Sequence, residues 1–296
     1  MNKRKSFIKI KAYLMNKKEQ RHQNICNLLI ERDHLSVPEL CAILNCSEAT
    51  IRNDLRELED NSMVKRIYGG VIPTGNTPHK VPYPTRQFLH NDEKDVIADY
   101  VVKNILQPNQ TIILDAGTTT ISLATRISEL PFSLTILTNS LPCAYIISQK
   151  SNHRLHIAGG SYDYEVGSCH DQQTIDYFNL LHADIFFLCP TGISIGAGFA
   201  VPDHGGAEVK RAMIRQASNV IALADHSKFN KTGLHIICGL TEVDCVVTDH
   251  NITADDVGKF QNAGLKIVST PAQAADRRFF AAPEPADKPV KVAAIP

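Results

Sequence analysis

The sequence predicts an α/β chain in two parts: a small helical head closed by a two-stranded hairpin, then a doubly wound, mostly parallel α/β body. Three observations predict it. Between residues 17 and 60 apolar residues recur at helical spacing behind capping signals, and β-prone runs then flank Gly69-Gly70. A Pro-rich stretch, "PTGNTPHKVPYPT", follows at residues 73–85, the composition of a linker. From Asp92 onward, continuous apolar runs alternate with helical patterns, as parallel strands covered on both faces do. The expected division is a basic extension at 1–16, a head at 17–72, a linker at 73–91, a body at 92–271 and a disordered tail at 272–296.

Composition narrows the class. The 296 residues, 43% hydrophobic and 21% charged, suit a folded chain of about two domains. No apolar run approaches a membrane span, and the basic start lacks the apolar core of a secretory signal, so a cytoplasmic chain is expected. Met15 offers a second start, which would make residues 1–14 dispensable. Eight scattered Cys without a CxxC pair, and twelve His without a ligand pair, predict reduced thiols, no metal and no cofactor. A net charge of +0 hides an asymmetry: residues 1–72 carry 13 Lys/Arg against 9 Asp/Glu, and residues 73–296 carry 18 against 22. A basic head on an acidic body suits a polyanion at the head.

In the head, a first helix runs through Ile25, Leu28 and Leu29. "LSVPELCAIL" predicts a short second one, with Ser36 as N-cap, Pro38 in the first turn and Glu39 completing a capping box. After a tight turn at Asn45-Cys46, a third helix starts at Ser47 and aligns Ile51, Leu55 and Leu58 on one stripe. Taken alone, its charged outer face is an ordinary solvated one. Followed by a hairpin, however, the three helices make a winged helix-turn-helix, its helix-turn-helix at about residues 35–54. The third helix of such a unit enters the major groove of double-stranded DNA. Ser47, Thr50, Arg52, Asn53 and Arg56 are therefore expected at bases or phosphates, Lys65 and Arg66 of the wing at phosphate, and Tyr68 beside them. Asp54 is expected to orient Arg52 or Arg56, because phosphate repels a carboxylate.

In the body, "TIILDA", "LTILTN", "LHIAGG", "DIFFLC", "VIALAD", "CVVTD" and "LKIVS" are the expected strands. Asp115, Gly117, Thr118, Thr119 and Thr120 form a strand–turn–helix start whose N–H groups and hydroxyls suit an anion. Thr138, Asn139 and Ser140, then Gly159 and Gly160, follow two further strands at the ends where α/β sheets gather ligands. Asp225 and Lys228 in "LADHSKF" add a carboxylate and a cation able to cross to a phosphate. His204 suits a sugar hydroxyl or plain exposure, Glu208 the pocket or a helix terminus, and Cys189-Pro190 a strand end.

"SEATIRNDLRELE", with Arg21 heading the first helix and "KRIYGGV" after it, closely resembles the N-terminal domain of the DeoR family of bacterial transcription regulators. The body resembles that family's effector domain through "RQFLHNDEK", "LDAGTTT", "LTNS", "GG", "ADIFF", "TGIS", "GAEVKRAMI" and "ADHSKF", in that order. The resemblance implies a repressor of a sugar or carbohydrate catabolic operon. It would bind operator DNA as a homo-oligomer, dimer or tetramer, and respond to a phosphorylated sugar. An activator of the same build is the first alternative.

The effector domain is also similar in fold to ribose-5-phosphate isomerase, which makes a sugar-phosphate isomerase the second alternative. Of that enzyme's pattern the chain keeps a phosphate-binding Asp225-His226-Ser227-Lys228 and one acidic residue, Asp184. The position of its glutamate base falls on Lys210. A cation there binds rather than abstracts a proton. The resemblance thus places Asp184 and Lys210 in the effector pocket with no catalytic residue.

Overall fold

A computed structural model describes residues 17–32, 34–60, 63–73, 86, 89–149 and 152–271. The expected N-terminal extension, the tail and most of the linker lie outside the described residues. In the head, α1 (Lys17–Glu31), α2 (Val37–Leu44) and α3 (Glu48–Asp60) precede a hairpin of β1 (Val64–Ile67) and β2 (Gly70–Pro73). The capping box forms: the Ser36 hydroxyl accepts the Glu39 amide at 3.3 Å, and the Glu39 carboxylate accepts the Ser36 amide at 2.8 Å. Asn45 ends α2 in the left-handed region, a conformation its short polar side chain tolerates. Ser47 then caps α3 by accepting the Thr50 amide at 3.2 Å.

Ile51, Leu55 and Leu58 turn inward as their spacing requires and pack with Ile25, Leu29, Leu35, Leu40, Val64 and Val71. Burying each such side chain contributes about 1.5–3 kcal/mol. The wing is anchored by a backbone exchange between Leu35 and Val71, at 3.1 and 2.8 Å. A Cβ on Gly70 would lie 2.4 Å from the Leu35 carbonyl oxygen, so only glycine admits this approach.

The body follows as α4 (Asn91–Asn104), β3 (Thr111–Leu114), α5 (Thr118–Ile127), β4 (Thr135–Thr138), α6 (Leu141–Ser148) and β5 (Arg154–Ile157). A hairpin of β6 (Tyr162–Asp163) and β7 (Ser168–Cys169) comes next, then α7 (Gln172–Asn179), β8 (Ala183–Leu188), β9 (Gly192–Ser194), β10 (Gly198–Val201) and α8 (His204–Arg215). The chain closes with β11 (Ala217–Leu223), β12 (His235–Cys238), β13 (Cys245–Thr248), α9 (Ala254–Asn262) and β14 (Ile267–Ser269).

All seven strands expected from sequence form one sheet, ordered β14-β13-β11-β8-β3-β4-β5, with every pairing parallel. The apolar runs of the five inner strands are continuous because both faces are largely buried, while the edge strands β5 and β14 stay partly exposed. Ile112, Leu114, Ile185, Phe187, Ile221 and Leu223 face α4, α5 and α6, while Ile113, Phe186, Leu188, Val220 and Ala222 face α7, α8 and α9. β9, β10 and β12 form a separate antiparallel sheet that the sequence pattern did not announce.

The order fixes where a ligand gathers. From β3 the chain winds outward through β4 and β5, then returns to β8 beside β3 and winds the other way. Strand direction of winding reverses between β3 and β8, and the crevice outside their carboxyl ends is the switch point at which such sheets bind ligands. Among the described residues no helix is long and apolar enough to cross a membrane.

Candidate functional site

Two surfaces carry chemistry. On the head, Arg52, Asn53 and Arg56 of α3 are exposed, as are Lys65, Arg66 and Tyr68 of the wing. Thr50 is half-buried, and the Ser47 hydroxyl is engaged in its cap. Two cations have acidic neighbours: Arg52 meets Glu48 at 2.5 Å and Arg66 meets Glu59 at 2.6 Å. Exposed pairs of this kind are worth about 0–1 kcal/mol, so exchange for a phosphate or a base edge costs little. Tyr68 stands fully exposed at the turn of the wing rather than packed beside Arg66.

Asp54 corrects the sequence expectation. It is 2% exposed, and it accepts the Arg21 guanidinium through both oxygens at 2.7 and 3.1 Å, with His22 at 3.1 Å. It therefore fastens α1 to α3 and does not orient Arg52 or Arg56. The bidentate geometry is the strong form of the pair.

The second surface is a cleft of about 280 Å³ at the switch point. Its floor is Asp115, Ala116 and Cys189, just past β3 and β8, with Lys210 reaching in from α8. Asp115 is buried and fully engaged. Its oxygens accept the Ala116 and Cys189 amides, both at 2.7 Å, and the Lys210 ammonium at 2.5 Å. Burial pushes the Cys189 thiol up to about 12, so it stays protonated.

One wall is basic: Lys228, Lys231 and Arg86 line it, with the His90 ring beside them. Lys228 approaches Asp225 at 3.4 Å and the Ser227 hydroxyl at 3.2 Å, remaining partly open to the cleft. Asp225 caps this turn from below. Burial acts to raise its pKa, yet Lys228, His90, the Ser227 hydroxyl and Lys94 together hold it well below the carboxylate range. Burial lowers both His90 and Lys231. The opposite wall is acidic, with Asp163 and Glu165 of the β6–β7 hairpin and Asp203 before α8. Between the walls, Asn139 donates its amide to the Cys169 carbonyl at 2.7 Å, while its Oδ1 is buried with no hydrogen bond among the described residues. A buried acceptor left in that state suits an incoming donor.

Of the residues read from sequence, Asp115, Asn139, Lys210 and Lys228 line this cleft. The others stand around it in supporting positions. Gly117 lets α5 start against β8, since a Cβ would lie 2.4 Å from that of Cys189. Thr118 and Thr119 open α5, half-buried and buried respectively, and the Thr120 hydroxyl bonds the Asp115 carbonyl at 2.6 Å. Thr138 receives the Ser140 amide, and Ser140 caps α6. The Gly159 carbonyl accepts the Thr174 hydroxyl at 2.8 Å, and Gly160, at a φ of 139°, clears the Asp171 carboxylate that caps α7.

Asp184 is brought to a different place. It sits at the amino end of β8, accepting the Thr111 amide at 2.7 Å. At about 3.3 Å per residue, it is roughly 16 Å from the carboxyl end where the cleft lies. His204 is exposed, its ring 5.5 Å from that of His235, and Glu208 pairs with Arg211. Sequence reading missed Arg86, His90, Lys231, Asp163 and Glu165; the available signals were the "RQFLHNDEK" segment, which holds Arg86 and His90, and Lys231 three residues after Lys228. No group of three or more His, Cys, Asp or Glu among the described residues could hold a metal.

Comparison with known proteins places both parts of the chain in one family. Residues 21–74 match the DeoR-like helix-turn-helix domain, and residues 89–250 match the DeoR C terminal sensor domain. The chain is 29% identical to the HTH-type transcriptional regulator GlpR of Haloferax volcanii, covering 84% of this chain and 96% of that one. It is 30% identical to the glycerol-3-phosphate regulon repressor of Escherichia coli, covering 79% of this chain and 91% of that one. Ribose 5-phosphate isomerase from Plasmodium falciparum aligns over 48% of this chain and 54% of that one, at 18% identity and a TM-score of 0.35, too small a likeness to bear on activity.

Proposed function

Because the chain belongs to the DeoR family of transcriptional regulators, we infer that it is a cytoplasmic repressor whose switch-point cleft binds a phosphorylated sugar and thereby controls the DNA-reading head. The observation that carries this reading is the polarity of the cleft. Lys228 and Lys231 suit a phosphate, and charge-assisted hydrogen bonds of that kind contribute about 1.5–3 kcal/mol each. Opposite them Asn139 Oδ1, Asp163 and Glu165 present acceptors, which call for hydroxyl donors. A sugar phosphate satisfies both ends at once.

The ligand must favour one arrangement of the chain over another, since equal affinity for both shifts nothing. Two heads on a homo-oligomer would match a two-fold operator. The enzyme alternative is disfavoured by Lys210: its ammonium is held by Asp115, so it binds rather than takes up a proton. Sugar phosphates incubated with the purified chain should be recovered unchanged. Aldose–ketose interconversion above a protein-free blank, followed by NMR, would restore the enzyme alternative.

The DNA half of the reading is tested by titration on a duplex selected from random DNA with the wild-type chain. Arg52→Ala should cost about 1–3 kcal/mol and relax preference at the positions it reads. Lys65→Ala should weaken all sequences alike and reduce the salt slope by about one. An Arg52→Ala chain with wild-type affinity and selectivity would remove α3 from the groove.

A further inference from the structure

Lys94 has no part in the reading given above, and its setting is unusual for a lysine. It lies on the first turn of α4, 3% exposed, with its ammonium directed at backbone. It donates to the Arg86 carbonyl at 2.7 Å and to the Leu89 carbonyl. A buried cation so placed ties the carbonyls of Arg86 and Leu89 to the start of α4. Hydrogen bonds from a charged donor are also the stronger kind.

That segment faces two ways. Arg86, Leu89 and His90 line the cleft. The Leu89 side chain, 6% exposed, also belongs to the apolar core of the head, whose other members come from residues 25–71. The charges facing the Lys94 ammonium are Lys228, Asp225 and Arg86, with the Cys189 thiol beside them. Burial, and secondarily Lys228, lowers its pKa to about 7. An anion settling on Lys228 would favour the charged ammonium, and with it a firmer hold on the two carbonyls.

We propose that Lys94 is the positioning residue through which an anion in the cleft acts on the DNA-reading head, by fastening the backbone that carries Leu89 into the head's core. The proposal rests on the cleft being the ligand site. It assigns to Lys94 no contact with the ligand itself, so binding and transmission are separable quantities. In linkage language, Lys94 sets the coupling factor between ligand and DNA and leaves the affinity for ligand alone.

The test uses the full chain, inorganic phosphate as probe, the selected duplex, and the variants Lys94→Met, Leu89→Ala and Lys228→Met. In wild type, phosphate should bind by calorimetry and change duplex affinity about fivefold or more, the ordinary range of such couplings. It should also alter hydrogen exchange at the Leu35 and Val71 amides, which pair the wing to the head. Lys94→Met should keep phosphate affinity within about threefold while the coupling factor falls to about one. Leu89→Ala should likewise bring the coupling factor to about one, whatever its own phosphate affinity, and decides the matter if Lys94→Met does not fold. Wild-type coupling in either folded variant would overturn the proposal and leave the cleft reading intact. Phosphate binding that is absent, or indifferent to Lys228→Met, would instead remove the cleft reading and the proposal with it.

Discussion

Asp115→Ala is expected to destabilise the body by about 3–5 kcal/mol, the usual cost of removing one member of a buried ion pair. Asp115 is 1% exposed and the side chain of Lys210 is 8% exposed, so the pair is buried at the cleft floor and removing one partner leaves the other without its counter-charge. The substitution strands the Lys210 ammonium and two amides, those of Ala116 and Cys189, at the junction of β3 and β8. In the double variant Asp115→Ala, Lys210→Met the stranded charge is gone but the two amides remain unpaired. It should lie between wild type and the single variant, since uncompensated donors cost about 1–3 kcal/mol each. Urea unfolding of the body checks both values. A cost below about 1 kcal/mol for Asp115→Ala would show that the pair does not hold the cleft floor.

Much of this architecture is legible in the sequence because burial on both faces leaves a mark. Most of the seven strands of the sheet are short apolar runs ending in Gly, Asp, Asn or Thr. The Ser36–Glu39 capping box and the Ile51, Leu55, Leu58 stripe likewise appear in the structure where local chemistry put them. The antiparallel sheet of β9, β10 and β12 was not legible, because the short β9–β10 hairpin is completed by β12, which comes from a segment distant in sequence.

Asp54 shows a signal that was present and misjudged. It falls three residues after Ile51, on the buried stripe, where a carboxylate demands a cation; Arg21 supplies it from 33 residues away. Asp184 is similar. It begins a strand, and ligands of parallel sheets gather where strands end. The walls of the cleft are a different matter. His90, Asp163, Lys210 and Lys231 meet only because the winding direction reverses between β3 and β8, and no local pattern records that meeting.

The central claim is that a phosphorylated sugar in this cleft controls the head, and Lys228 tests it most directly. Its ammonium is the cleft cation beside the Asp225–Ser227 turn, and Lys228→Met removes that charge while Asp225 keeps the Ser227 amide at 3.0 Å. The loss of one charge-assisted contact, about 1.5–3 kcal/mol, corresponds to roughly 10- to 150-fold in effector concentration. Fluorescence anisotropy on the selected duplex, titrated with a panel of sugar phosphates and with each unphosphorylated parent sugar, provides the measurement. The wild-type chain should release DNA with a phosphorylated member and not with its parent. Lys228→Met should bind the duplex as wild type does and need that much more effector. Release by the parent sugar at equal concentration, or a Lys228→Met response matching wild type, would contradict the account.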